Sequence, residues 1–115
     1  MFKSVEYAGF DEHPGLKVLA ERGTQILSSE MGTWHDSTDV IWEAYPDTTP
    51  ALELTVTVTL SIGSGTGTRL VPVSDFADED RLRSRCGGTW ARALRAILDK
   101  RKHVWDEIIN QPVGA

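Results

Sequence analysis

From Leu52 to Ile62 apolar and polar residues alternate without exception, with Leu52, Leu54, Val56, Val58, Leu60 and Ile62 at even positions and Glu53, Thr55, Thr57, Thr59 and Ser61 at odd ones. Strict period two puts successive side chains on opposite faces of an extended chain, so this stretch predicts a strand of roughly 36 Å with one core face and one wet face. Residues 2–8 alternate more weakly, with Val5 and Tyr7 on one side, and predict a short strand. The period then changes. Leu16, Leu19, Ala20, Gly23, Ile26, Leu27 and Met31 recur at helical spacing behind Pro14, a residue suited to a first helical turn. A helix is expected over 14–31, stopped at Gly32, with Gly23 leaving room for a neighbouring element. Val40–Tyr45 reads as a second strand ended by the turn residues Pro46–Pro50, and Gly63–Gly67 as a flexible reversal leading into a partner strand over 68–73. Pro72 removes a ladder donor, so that strand is expected to lie at a sheet edge or to end there.

Beyond it, Ser74 and Asp75 are candidate caps, and Asp78, Glu79 and Asp80 place negative charge where a helix start favours it. Gly87-Gly88 is expected to break or bend this helix, with Thr89 capping a second segment. Along 90–109, Trp90, Leu94, Ile97, Leu98, Val104, Trp105, Ile108 and Ile109 share one helical face. The expected fold is therefore a single α+β domain over residues 1–115. It is a two-layer sandwich of order β-α-β-β-β-α, whose mainly antiparallel sheet carries both helices on one face. A Thr-rich second face needs no cover. This order of elements resembles that of the double-stranded-RNA-binding-domain-like folds, including ribosome-hibernation factors, across nearly the whole chain. The resemblance is one of topology: Asp78-Glu79-Asp80 stand where such a domain places basic residues at the start of its final helix, so no functional residue is carried over.

At 115 residues, with 40% hydrophobic and 25% charged residues, the chain suffices for one core without disulfides or a structural metal. No apolar run is long enough to span a membrane, and the first residues lack the apolar stretch of a secretory signal, so a cytoplasmic protein is expected. The lone Cys86 excludes an internal disulfide. The net charge of −5 hides a polarity. Residues 81–103 hold eight Lys and Arg against the single acid Asp99, whereas the remainder holds four against sixteen acids. Such a segment either attracts an anionic partner or pairs with acids of its own or another copy of the chain.

Candidate chemistry is sparse. The cluster Trp34-His35-Asp36-Ser37-Thr38-Asp39 offers an imidazole and two carboxylates, too few for a metal site without further ligands. Cys86 lies beside Arg85, but no histidine is placed to serve it as a base. Gly63-x-Gly65-x-Gly67 precedes a strand, not the helix that a phosphate loop requires. Arg101 falls within the apolar stripe of the last helix, where a charge must pair, reach the surface or serve a site. No convergent catalytic set and no cofactor site emerges. The expectation is a non-enzymatic protein interaction or assembly module that self-associates, with Thr55, Thr57 and Thr59 at the interface. The alternative is a nucleic-acid or ribosome-associated binder using Arg81, Arg83, Arg85, Arg92, Arg95, Arg101 and Lys102 on phosphates.

Overall fold

The structure, a computed structural model, describes residues 2–31, 36–45 and 50–109, with the backbone alone at 31 and 101–109. Its elements are β1 (Ser4–Ala8), α1 (Pro14–Met31), β2 (Thr38–Tyr45), β3 (Ala51–Leu60), β4 (Gly63–Pro72), a 3-10 turn (Val73–Ala77) and α2 (Glu79–Ile109). The strands form one sheet in the order β1-β2-β3-β4. β1 runs parallel to β2, and the remaining neighbours are antiparallel. The parallel pair follows from α1, which carries the chain back to the start of the sheet before β2 begins. The expected α+β sandwich with a mainly antiparallel sheet is thus present, its one parallel pair being β1–β2.

Alternation decides which face is the core. Leu52, Leu54, Val56 and Val58 are fully buried, together with Val40 and Trp42 of β2 and Val71 of β4. Both helices lie over this face, α1 through Ala20, Ile26 and Leu27 and α2 through Leu82, Cys86, Ala93 and Ile97. The close approach that Gly23 permits is to Trp42: a Cβ at Gly23 would lie 2.6 Å from the indole ring. That indole donates its Nε1 hydrogen to Thr24 Oγ1 at 2.9 Å, and the Thr24 hydroxyl donates in turn to the Ala20 carbonyl at 3.0 Å. With its one hydrogen committed, Thr24 accepts from the Tyr7 hydroxyl, 3.2 Å away. A buried Trp and a half-buried Tyr are thereby satisfied by a single threonine.

Two expectations about glycine are corrected. Gly63–Gly67 is not the reversal, because β4 already begins at Gly63 and pairs with Leu60, leaving Ser61-Ile62 as a two-residue hairpin connection. Ile62 therefore leaves the strand and is 49% exposed. Gly65 and Gly67 sit on the core face, where α2 lies directly on the strand: a Cβ at Gly65 would strike the Ala93 carbonyl oxygen, and one at Gly67 that of Thr89. Nor does Gly87-Gly88 break the last helix, which runs unbroken from Glu79 to Ile109. Thr89 is buried within it and donates to the Arg85 carbonyl at 2.8 Å instead of capping a second segment. The cap is Asp78, whose carboxylate accepts from the backbone N–H groups of Asp80 (3.0 Å) and Arg81 (3.3 Å). Ser74 and Asp75 lie in the preceding turn.

These glycines are not equivalent. Gly65→Ala drives a methyl into helix backbone that cannot yield, so denaturant melts should show a loss of about 3 kcal/mol or more. A Cβ at Gly87 would meet nothing within 4 Å, so Gly87→Ala should gain about 0.5–1 kcal/mol by removing a mid-helix glycine.

Candidate functional site

No described element covers the face turned away from the helices. Register brings together on it Ser4, Glu6 and Ala8 of β1, Asp39, Ile41, Glu43 and Tyr45 of β2, and the odd residues of β3. The residues of β4 opposite the latter are Ser64, Thr66, Thr68, Leu70 and Pro72. Thr55, Thr57 and Thr59 all lie here. Thr57 and Thr66 share a hydroxyl contact of 3.0 Å, and Thr55 and Thr68 one of 3.3 Å, so two cross-strand threonine pairs lie on the β3–β4 side of this face. Ile41 and Leu70 are 37% and 53% exposed around them.

Four carboxylates share this face, and none of its strand residues is a Lys or Arg. Asp39 accepts from the Ser4 hydroxyl at 2.6 Å. Glu43 and Glu53 stand directly opposite one another in the β2–β3 register. Like charges in that position destabilise a sheet. Tyr45 reports the local field: its phenol titrates above the ordinary value, through desolvation first and then through the charges and hydrogen bonds of Glu43 and Glu53. Glu53 is visible in the sequence as a wet-face residue of the alternating strand. Its meeting with Glu43 depends on the inter-strand register, which the sequence does not reveal.

The arginines of α2 do not form one strip. Arg83 turns toward α1 and bridges Glu30 (2.7 Å) and Glu79 (2.9 Å), which raise its guanidinium pKa through hydrogen bonds to both carboxylates. Arg85 donates its Nε hydrogen to the buried carboxylate of Asp75 at 3.0 Å. Arg81 lies 3.6 Å from Asp78 at a mostly exposed position. Arg92 reaches the Thr68 carbonyl (3.1 Å) and Lys100 that of Ser64 (3.1 Å), so side chains of α2 lie across the outermost strand. Arg95 is exposed on the same stretch of helix. Arg101 and Lys102 fall within α2, beyond the residues whose side chains the structure describes, and Trp105 with them.

The sheet edges are poorly suited to strand addition. β4 ends at Pro72 and is overlaid by Arg92 and Lys100, and β1 has five residues only. Among the described residues no helix is long and apolar enough to cross a membrane, and no group of three or more His, Cys, Asp and Glu is placed to hold a metal ion. Trp34 and His35 lie outside the described residues, as do Gly32 and residues 46–49 of the expected Pro46–Pro50 turn; Asp36 is exposed, and Asp39 belongs to the open sheet face. Comparison with protein-family models, curated proteins and solved structures found no match to this chain.

Cys86 is buried between the helices, its thiol 3.7 Å from the Gly23 carbonyl oxygen. Desolvation, reinforced by Glu30 and partly offset by Arg83, pushes its pKa up to about 12. The neighbouring Arg85 does not activate it, being turned to Asp75. A neutral thiol is a poor nucleophile, so a disulfide reagent at pH 8 should leave the folded protein unlabelled and modify one thiol per chain after unfolding. A thiol whose folded pKa is raised contributes its stability in full below the unfolded value near 9.0, and loses it as pH climbs toward the folded value. Urea melts should therefore show wild type losing stability relative to Cys86→Ala between pH 9 and about 12, with no relative change below pH 8.

Proposed function

We propose that the protein is a non-enzymatic assembly module whose uncovered sheet face receives the cationic α2 face of a second copy. The observation that carries this reading is Glu43 set opposite Glu53 on a bare face without a single strand Lys or Arg. An isolated sheet gains nothing from that repulsion, whereas a docked cation relieves it. Arg92, Arg95 and Lys100 are exposed along the middle of α2 and supply the complementary charge. Threonine hydroxyls with Ile41, Tyr45 and Leu70 provide the uncharged contact area. Stacking two sheet faces together would instead bring eight carboxylates into one contact, which favours a head-to-tail arrangement over a two-fold one. Head-to-tail contacts close into rings or extend as filaments.

The nucleic-acid alternative is less supported. Arg83 faces α1, Arg92 crosses β4, and Arg81 and Arg85 sit near Asp78 and Asp75, so the described side chains of the basic segment form no continuous track for a phosphate backbone.

Light scattering at low salt should give a mass above the 12.7 kDa of one chain, falling toward it as salt shortens the screening length to about 3 Å near 1 M. Glu53→Lys separates stability from assembly: it converts the repulsive pair into an attractive one, and should raise the melting midpoint by the equivalent of about 0.2–1 kcal/mol while abolishing association. A monomer at every salt concentration, or undiminished assembly of Glu53→Lys, contradicts the reading.

A further inference from the structure

Where the first turns of α2 meet β4 and the 3-10 turn, an open-mouthed cavity of about 470 Å³ is lined by Arg69, Asp75, Asp80, Arg81, Ser84 and Arg85. We infer that this cavity is a binding site for a small phosphomonoester with a hydroxylated body.

Three arginines from two separate elements line it. Arg69 comes from β4, on the face that α2 covers, and makes no ion pair among the described residues. Its place is kept open by Gly88: a Cβ there would lie 2.7 Å from Arg69 Nη1. The glycine costs helix stability and lets the guanidinium lie against the helix backbone. Arg85 is oriented by Asp75, which is almost wholly buried and takes the Nε hydrogen at 3.0 Å, leaving both terminal nitrogens as donors. Arg81 stands at the exposed rim, 3.6 Å from its acid partner Asp78.

Charge-assisted, forked donors of this kind suit an oxyanion. A single arginine satisfies a carboxylate, whereas the three terminal oxygens of a phosphate can use two or three guanidinium groups at once. The cavity far exceeds a bare phosphate and falls within the range of small-ligand sites. The Ser84 hydroxyl and the Asp80 carboxylate on the same wall are partners for hydroxyl groups on the rest of the ligand. This inference is independent of the assembly reading, which uses residues farther along α2.

Calorimetric titration at low ionic strength with ribose 5-phosphate, ribose, inorganic phosphate and a short single-stranded RNA tests it. Saturable binding of ribose 5-phosphate is expected, weaker binding of inorganic phosphate, and none of ribose. Gly88→Ala displaces the Arg69 guanidinium without changing any charge and should weaken ribose 5-phosphate binding about tenfold, as should Arg81→Gln. Gly87→Ala, one residue away and facing open space, should leave binding unchanged. The melting midpoint of each variant shows that the fold persists. Absence of saturable ribose 5-phosphate binding up to about 10 mM overturns the inference. So does binding indifferent to both Gly88→Ala and Arg81→Gln, and so does binding of RNA without binding of ribose 5-phosphate.

Discussion

Direct contact between the backbone of α2 and the glycine strip of β4 is the constraint on which the rest of the molecule depends. Gly65 and Gly67 present no side chain toward the helix, so the carbonyls of Thr89 and Ala93 come down onto the strand itself. That approach sinks α2 far enough for Leu82, Cys86, Ala93 and Ile97 to join the buried cluster that contains the apolar row of β3. α1 uses the same device once, at Gly23, to seat Trp42. With both helices fitted to one face of a twisted sheet, the chain has no further element among the described residues to place on the other.

The electrical layout follows from this geometry. Lys and Arg concentrate on α2, while Glu6, Asp39, Glu43 and Glu53 share the bare sheet face, so the two surfaces of the domain carry opposite character. Ion pairs consume part of the helix charge close to home, at Glu30, Asp75, Asp78 and Glu79. The exposed pairs among them, those with Asp78 and Glu79, each contribute little to stability. The effect of the ion pairs is to divide the basic segment into parts with separate surroundings: one toward α1, one toward the cavity by Arg69, and one lying over β4. A segment that reads as a single basic run in sequence occupies three different environments in space among its described side chains.

Much of the fold is legible in the sequence because its periodicities are strong. Alternation from Leu52 marks β3 and its buried face, and the spacing of Leu16 to Met31 marks α1 to its bounds. Glycine misleads in two places for one reason. Locally, Gly63–Gly67 and Gly87-Gly88 look like chain reversal and helix breaking, whereas their roles are set by tertiary contact: two accept the α2 backbone, Gly88 accepts Arg69, and the helix keeps its hydrogen-bond ladder throughout. Propensity loses to packing at such positions. Thr55, Thr57 and Thr59 announce the open face, but not its acidity, since Glu6, Asp39 and Glu43 join Glu53 only through register. The cavity at Arg69 is hidden for the same reason, being assembled from residues 69 to 85 by a turn and a helix.

The most direct test of the sheet face and α2 as partners is residue-resolved NMR of the backbone amides across a dilution series at low salt. Head-to-tail assembly predicts concentration-dependent shifts at two separate places together, on the outer residues around Glu43, Glu53, Thr55 and Thr57 and along α2 near Arg92, Arg95 and Lys100. Shifts confined to one of these surfaces, or spectra unchanged by dilution, would contradict it.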